Sequence, residues 1–392
     1  LSVSSAASDV YKRQIYISVM KRITPVCIAT FMQGTSIGIL IPVITHYVLS
    51  MGASEQSAPL IFSTFSLFAF LSSFMWGKIV DKKGRKFVMF FSILGITIAY
   101  AWLAVASTVW EIFVSRAFAG IMSGFSIAAF AWVADIYDEN SRPKAYGLLG
   151  ASFGFGFIAG PAIGALLVQQ DAYVLACFGS FLISLLSIFV IIFSINDSDK
   201  YERNLNPSFR ELLHIKKFRP VIIIAGIIGV VFTMIEGSFA IYIYKVFQAT
   251  ARDVGIVLVF AGLFNVLVQG AISSKVIGKI GAVHTIRFAI IFLLFGLSSL
   301  IKIEILGFYI PMIFVSIAMA LYMPALQSYS MGLAPNKLRG SVAGLLQSIQ
   351  NLSRIIGPAL ATFLMFTYWD KLAYVTGFVI LLVPYYILRF VR

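Results

Sequence analysis

Three ionisable side chains lie inside otherwise apolar stretches of this sequence: Arg116, Glu236 and Arg354. A charge inside a bilayer costs roughly 2.5–3.5 kcal/mol on insertion scales unless it meets a partner or water, so such residues are candidate functional groups. A medium of low dielectric constant favours the protonated form of a carboxyl group, which would let Glu236 take up and release a proton. We therefore predict that Arg116 and Glu236 take part in proton coupling.

Structural explanations remain open for the same residues. Arg116 could extend its side chain to the membrane surface if it lies near a helix end. Glu236 could be neutralised by Arg354 or satisfied by a hydroxyl group. Polar groups fix the orientation of a bound compound, and we expect four of them to line a substrate cavity: Gln33, Gln347, Asn351 and Arg354. Gln347 and Asn351 are four residues apart, so they share a helix face with Arg354.

The loop GKIVDKKGRK, residues 77–86, combines small and charged residues at a membrane boundary. Gly77 would let its helix approach a neighbour closely, and Gly84 would permit a tight reversal of the chain. Asp81 is an acid at that boundary, and Arg85 stands where lipid phosphate groups would be. A basic loop that only marks the cytoplasmic side is the alternative interpretation.

The composition is that of a membrane protein. The residues are 60% hydrophobic and 12% charged, against roughly 25% charged in soluble domains, and the mean hydropathy is +0.94. The histidines and the two cysteines show no metal-ligand spacing. No loop is long enough to house a soluble catalytic domain. We therefore expect no enzyme activity and no metal site.

Twelve apolar runs have the length of about 20 residues that a bilayer requires. We number them spans 1 to 12: 23–49, 58–78, 87–107, 110–136, 144–168, 172–195, 221–244, 254–274, 285–300, 306–331, 342–366 and 372–388. Basic residues concentrate in the loops after even-numbered spans, whereas the opposite loops carry only Lys245, Arg252, Lys302 and Lys371. Positive charge marks cytoplasmic loops, so we predict a multi-pass protein of the inner (plasma) membrane with both termini cytoplasmic. The net charge of +14 then reflects topology, and we expect no nucleic-acid partner.

The chain contains an internal repeat. AYGLLGASFGFGFIAGPAIG (145–164) recurs in degraded form as VAGLLQSIQNLSRIIGPALA (342–361), 197 residues later in a chain of 392. Duplicated apolar halves are typical of secondary transporters. We predict an all-α membrane protein of twelve transmembrane helices in two pseudo-symmetric six-helix bundles. The predicted units are a non-native leader at 1–14, bundles at 15–195 and 221–392, and a cytoplasmic linker at 196–220.

A glycine–proline motif occupies span 5. Gly156, Gly160 and Gly164 are spaced by four residues, so they lie on one helix face, where small residues permit close packing. Pro161 removes one backbone hydrogen bond and would bend the helix. Ordinary small-residue packing explains this pattern as well as a special function does.

The 77–86 loop resembles the loop between helices two and three of the major facilitator superfamily, and the resemblance covers nearly the whole chain from about Ile23. It implies the fold of that family. It also implies a latch that holds the outward-open state, in which Asp81 faces the start of span 11 near Leu338 and Arg85 meets Asp135. The gating residues are then Gly77, Asp81, Gly84, Arg85, Asp135 and Arg142.

Three segments resemble the tetracycline/proton antiporters within the drug/proton antiporter group: 37–44, 134–164 and 323–330. The implied function is secondary active, proton-driven efflux of small amphipathic compounds or drugs, with tetracycline-like export among the options. The expected partners of a monomeric protein are the substrate and the lipid bilayer. The coupling ion would be the proton, with no cofactor. The alternative is a facilitator or importer of a small metabolite on the same fold.

The chain departs from the tetracycline antiporters at three places that matter for coupling, one of which is helix nine, where their acid has no counterpart within residues 288–300. Arg116 resembles their helix-four arginine, which is proposed to assist proton transfer. Gln33 stands where that group has an acid in helix one, and Ala99 and Tyr100 stand where it has an acid in helix three. We therefore expect a different substrate, and the missing acids favour the alternative function.

Overall fold

The computed structural model describes residues 2–137, 142–168, 173–194, 218–333 and 339–389. These residues form helices and no β-strand, and a helix lies at each of the twelve predicted spans. In order, the span helices are Ser2–Ser50, Leu60–Lys83, Arg85–Val105, Val109–Ile121 with Phe125–Ile136, Arg142–Leu167, Tyr173–Ser194, Phe218–Phe247, Ala251–Leu267 continued by Val268–Ser273 and Ser274–Ile280, Ala282–Ile301, Tyr309–Leu333, Arg339–Thr367 and Leu372–Ile387. A short helix, Ile303–Leu306, joins spans 9 and 10.

Nine of the described helices are long and apolar enough to cross a membrane, and span 2, which bends by 46°, makes ten. Span 11 has sufficient length at 29 residues but carries a polar face, and span 12 has only 16 residues. The predicted leader forms the first turns of span 1, whose apolar part is Arg22–Ser50. The linker predicted at 196–220 lies outside the described residues up to Phe218, where span 7 begins.

Span 4 is interrupted, which its apolar sequence did not predict. The helix stops at Ile121 and resumes at Phe125. The Trp76 ring lies where a side chain on Gly124 would be, 2.6 Å from the ideal Cβ position, and its Nε1 donates to the carbonyl of Ile121 at 2.7 Å. The hydroxyl of Ser92 donates to the Met122 carbonyl. The break therefore persists because neighbouring helices satisfy the carbonyl groups that it frees.

The two halves repeat one packing pattern. Span 1 packs against spans 5 and 6, span 3 against span 6, and span 2 against span 4. In the second half span 7 packs against spans 11 and 12, span 9 against span 12, and span 8 against span 10. Gly84 turns the chain between spans 2 and 3 at φ 93°, and Gly281, 197 residues later, turns it between spans 8 and 9 at φ 81°. Because this backbone region favours glycine, both turns depend on that residue type.

The glycines of span 5 face span 1, as their spacing predicts. An ideal Cβ on Gly156 would lie 2.8 Å from the Thr35 amide nitrogen and would also meet a carbonyl of span 1. A Cβ on Gly160 would lie 2.5 Å from the Gly38 Cα, and one on Gly164 would lie 2.6 Å from the Ile39 carbonyl. The helix continues through Pro161 to its end. Spans 1 and 5 thus pack backbone to backbone, with no space for side chains between them.

Replacing Gly156 with Ala should destabilise the protein by roughly 1–3 kcal/mol, because the new methyl group meets backbone atoms that cannot move aside. Gly154→Ala is the matched control, since no atom lies within 4 Å of its ideal Cβ. Thermal unfolding in detergent micelles measures both. Equal unfolding temperatures for the two variants would contradict the close packing of spans 1 and 5.

Candidate functional site

The two halves contact each other at one end of the bundle, which we call the closed end. It contains the loop between spans 1 and 2 and the loop between spans 7 and 8. Spans 5 and 8 meet there, with an ideal Cβ on Gly255 2.6 Å from the Ala165 Cβ. Spans 2 and 11 meet where the Ser63 hydroxyl donates to the Ile355 carbonyl at 3.2 Å. These two pairs of spans are equivalent under the internal repeat, so the contact between halves is itself pseudo-symmetric.

His46 joins the halves at the same end, and sequence analysis did not single it out. Its Nε2 lies 2.9 Å from the Ala249 carbonyl of the other half, and its ring packs edge-on against Tyr244 at 5.8 Å. The residue is 5% exposed. Lys245 reaches Glu55 across the halves at 3.8 Å. A histidine within the apolar run of span 1 was the available signal for this contact.

A second ion pair links loops within the second half at the closed end. Lys371 lies 2.7 Å from Glu304. The hydrogen bond from Lys371 and a backbone hydrogen bond hold the pKa of the Glu304 carboxyl below its usual value. This pair ties the connection between spans 9 and 10 to the start of span 12.

At the other end, which we call the open end, spans 2, 5 and 8 present open space where they would face a neighbour. No atom lies within 4 Å of an ideal Cβ on Gly77, Gly150 or Gly270. Asp81 is 70% exposed, and Gln347 on span 11 is exposed as well. The close approach expected at Gly77 is therefore absent in this conformation. Among the described residues, the halves contact each other at the closed end and are separated at the open end.

The open end contains a buried ion pair within the first half. Arg85, the first residue of span 3, places its Nε 2.6 Å from a carboxylate oxygen of Asp135, near the end of span 4. The two side chains are only 8% and 3% exposed. Arg85 also donates to the Val80 carbonyl at 2.9 Å, where a cation compensates the C-terminal end of the span 2 helix. The pair expected from the family resemblance is thus formed, and it joins spans 2, 3 and 4.

The structure describes some of the other gating candidates and not the remainder. Asp81 lies 3.7 Å from Arg85, and Gly84 makes the turn between them. The start of span 11 near Leu338, which Asp81 is expected to face, lies outside the described residues. Arg142 is the first residue of span 5, and its side chain also lies outside the described part.

Arg116 lies deep in the first half. It follows Val109, the first residue of its helix, by seven positions, which places it about 10 Å along the axis. The residue is 6% exposed, and its guanidinium carbon is 5.2 Å from the centre of the Tyr100 ring. The alternative that Arg116 extends to the membrane surface is therefore wrong.

Glu236 on span 7 and Arg354 on span 11 do not neutralise each other, which was one interpretation of the sequence. These spans pack closely, since Thr233 donates to the Ser353 carbonyl at 2.7 Å and a Cβ on Gly237 would lie 2.7 Å from Pro358. Glu236 and Arg354 are half-buried beside this contact. They form no ion pair with each other or with any other described residue.

The amide side chains expected in the cavity fall into two groups. Gln347 and Asn351 share a face of span 11, as predicted, and Gln347 donates to Asn351 at 3.3 Å. Gln347 is exposed and Asn351 is half-buried. Gln33, by contrast, is 4% exposed and lies inside the first half, so it does not line an open cavity in this conformation.

Replacing Asp135 with Asn should destabilise the protein by about 3–5 kcal/mol, because it leaves the Arg85 charge buried without its partner. Asp81→Asn is the control: that carboxylate is 70% exposed, and its loss should leave the unfolding temperature nearly unchanged. A double-mutant cycle of Asp135→Asn with Arg85→Gln should show strong coupling. Additive effects would mean that the two side chains do not interact.

Comparison with known proteins agrees with this architecture. A family model described as Major Facilitator Superfamily matches residues 26–358. Tetracycline resistance protein, class H, of Pasteurella multocida is 26% identical over 376 residues, which is 91% of this chain and 93% of that protein. Multidrug resistance protein 1 of Bacillus subtilis (strain 168) is 25% identical over 339 residues, or 84% of this chain and 85% of its own.

A solved structure has the same fold. The crystal structure of a D-xylose-proton symporter matches with a TM-score of 0.76 at 14% identity, covering 95% of this chain and 98% of that one. The fold is thus the major facilitator fold, as predicted, and it makes this chain a multi-pass membrane transporter and not an enzyme. The chain belongs to the major facilitator superfamily.

Proposed function

We propose that this transporter exports small amphipathic compounds from the cell in exchange for protons. The observation that carries the proposal is that the described residues of the two halves contact each other at the closed end and are separated at the open end, which supports a path between them that is open from that side. The names of the relatives, tetracycline resistance protein and multidrug resistance protein, support export as the direction. Tetracycline-like compounds are among the substrates to be tested.

The distribution of charge supports an inward-open assignment for this conformation. The exposed lysines at the open end include Lys78, Lys82, Lys83, Lys275 and Lys279. Because basic loops remain in the cytoplasm, we infer that the open end and both termini face the cytoplasm of the plasma membrane. The protein would act as a monomer in the bilayer, with no cofactor and no nucleic-acid partner.

In the proposed cycle, the contacts between the halves at the closed end break while new contacts form at the open end. Opening towards the outside would break the Ser63 and His46 contacts and bring spans 2 and 11 together at the open end. Asp81 would then meet the start of span 11, where the helix dipole and free amide groups favour an anion. Gly77 would come close to its neighbour only in that state. Arg85 and Asp135 would hold span 2 in position throughout.

Coupling to protons is assigned to the charges between the ends. Glu236 is half-buried and forms no ion pair with any described residue, so we assign the coupled proton to its carboxyl group. Arg116 lies in the first half, and no carboxylate of the described residues is at ion-pair distance from it. Its positive charge would bias the first half towards states in which an anionic group is near.

Cells that express the protein should accumulate several-fold less of a fluorescent amphipathic dye or of tetracycline than cells without it, and a protonophore should abolish the difference. The reason is that efflux against a gradient needs inward proton flow. In proteoliposomes, an imposed pH gradient should drive uptake of the same compounds. Transport that persists after the gradient is collapsed would exclude the antiport mechanism.

A facilitator or importer of a small metabolite is the second candidate. Tyr100 and Gln33 stand where the tetracycline antiporters have acids, and the Arg116 side chain lies over the Tyr100 ring and not beside a carboxylate. This arrangement removes two of the groups that would carry protons.

Glu236→Gln separates the two candidates. If Glu236 carries the coupled proton, the variant should lose uphill transport driven by a pH gradient but retain exchange of substrate for substrate. A facilitator would show no change in either measurement. Glu304→Gln, at a carboxylate in the loop between spans 9 and 10, is the control and should transport like the unmodified protein.

A further inference from the structure

Arg116 holds two donors that no described residue satisfies. Its Nε and Nη2 atoms are buried and lack a hydrogen-bond partner, in a residue that is 6% exposed. These two N–H groups lie on the same edge of the planar guanidinium group and point in nearly the same direction. This two-pronged edge matches the two oxygens of one carboxylate. Chloride or a single carbonyl oxygen would match it less well.

The surroundings of Arg116 offer donors and an aromatic ring but no acid. The Tyr100 ring lies 5.2 Å from the guanidinium carbon, and Ser36 of span 1 lies near the same Tyr100 side chain. Gln33, one helical turn before Ser36 on span 1, is 4% exposed, and its Nε2 also lacks a partner. Within the described residues, no Asp or Glu lies at ion-pair distance from Arg116. No described carboxylate therefore completes this site, which leaves it able to accept one from a bound molecule.

The balance of charges in the part of the bundle between its two ends also favours an anionic ligand. Arg116 and Arg354 contribute two positive charges, whereas Glu236 contributes one negative charge. The pair of Arg85 and Asp135 neutralises itself. A bound anion would remove the excess positive charge, whereas a cationic substrate would increase it. The membrane interior makes this difference large because charges there are weakly screened.

We propose that Arg116, together with Gln33, binds the carboxylate group of an anionic amphipathic substrate inside the first half. The proposal rests on the proposed export function and names its substrate class. The Arg116 fork would hold both carboxylate oxygens, Gln33 would donate a third hydrogen bond, and Tyr100 would contact the apolar part. Because Arg116 is 6% exposed, a substrate held there would be shielded from both ends of the bundle.

Two dyes with the same xanthene skeleton test the substrate class. Fluorescein carries a free carboxylate and a negative charge, whereas rhodamine 6G is an ester with a positive charge. A ligand that binds only the folded protein raises its unfolding temperature. With the full chain in lipid nanodiscs, fluorescein should raise that temperature in a concentration-dependent way, and rhodamine 6G should not.

Two variants test the residues. Arg116→Lys keeps the charge but removes the fork, so fluorescein should bind at least about tenfold more weakly, with a chain that still folds. Gln33→Glu supplies a carboxylate from the protein itself. It should raise the unfolding temperature without ligand and abolish the response to fluorescein. Gln56→Glu, which adds the same charge on the exposed loop between spans 1 and 2, should change neither quantity.

Other outcomes would overturn the site. An equal response to both dyes, or an unchanged response in Arg116→Lys, would remove the carboxylate assignment. If acetate or chloride alone produced the full effect and fluorescein added nothing, the fork would take a small ion and not a substrate. If neither fluorescein nor Gln33→Glu raised the unfolding temperature, water would satisfy the fork.

Transport separates this inference from the proposed function. Fluorescein that binds through Arg116 but does not move under a pH gradient in proteoliposomes would refute proton exchange and leave the carboxylate site intact. Ethidium that moves under the gradient, with no binding of fluorescein, would leave the export function and refute the site.

Discussion

A charge inside a bilayer needs a partner or water, and the charged residues of this bundle meet that need in different ways. Arg85 and Asp135 meet it with each other, in a pair that is almost fully buried. Glu236 and Arg354 are half-buried, so neither side chain is completely enclosed by the protein. Arg116 has neither solution: it is buried, and an aromatic face is its main compensation. A buried cation without an ion-pair partner among the described residues is costly, which is why its placement indicates a function.

The contact between the halves has properties suited to a reversible change. Spans 5 and 8 meet through Gly255 and Ala165, and spans 2 and 11 meet through one hydroxyl group, Ser63. Small residues bring backbones close without interlocking large side chains. The close approach of Gly255 and Ala165 therefore leaves few side-chain atoms to interlock, which favours a contact that is broken and remade as the halves move. By contrast, the glycine contact between spans 1 and 5 lies inside one half and can remain fixed.

The sequence was sufficient for features that do not depend on conformation. The glycine spacing of span 5 identified the face that packs closely, and the loop sequence predicted the reversal that Gly84 makes. The sequence did not predict contacts that depend on the conformational state or on a partner distant in the chain. The close approach predicted at Gly77 is not made in this conformation, and the break after Ile121 depends on Trp76, a long-range partner that periodicity does not reveal.

The duplication also shows how the two halves have come to differ. At the 197-residue offset, Asp81 corresponds to Gly278, Arg85 to Ala282 and Asp135 to Gly332. The second half therefore has no equivalent of the buried ion pair, and no atom lies within 4 Å of an ideal Cβ on Gly278 or Gly332.

In the proposed cycle, this asymmetry divides the work between the halves. The first half carries the gate and the cationic fork at Arg116, and the second half carries the protonatable Glu236. Substrate and proton would then bind to different halves and influence each other only through the relative position of the halves. Because a ligand shifts a conformational equilibrium only through its different affinity for the two states, separate sites of this kind suffice for exchange, and no direct contact between substrate and proton is required.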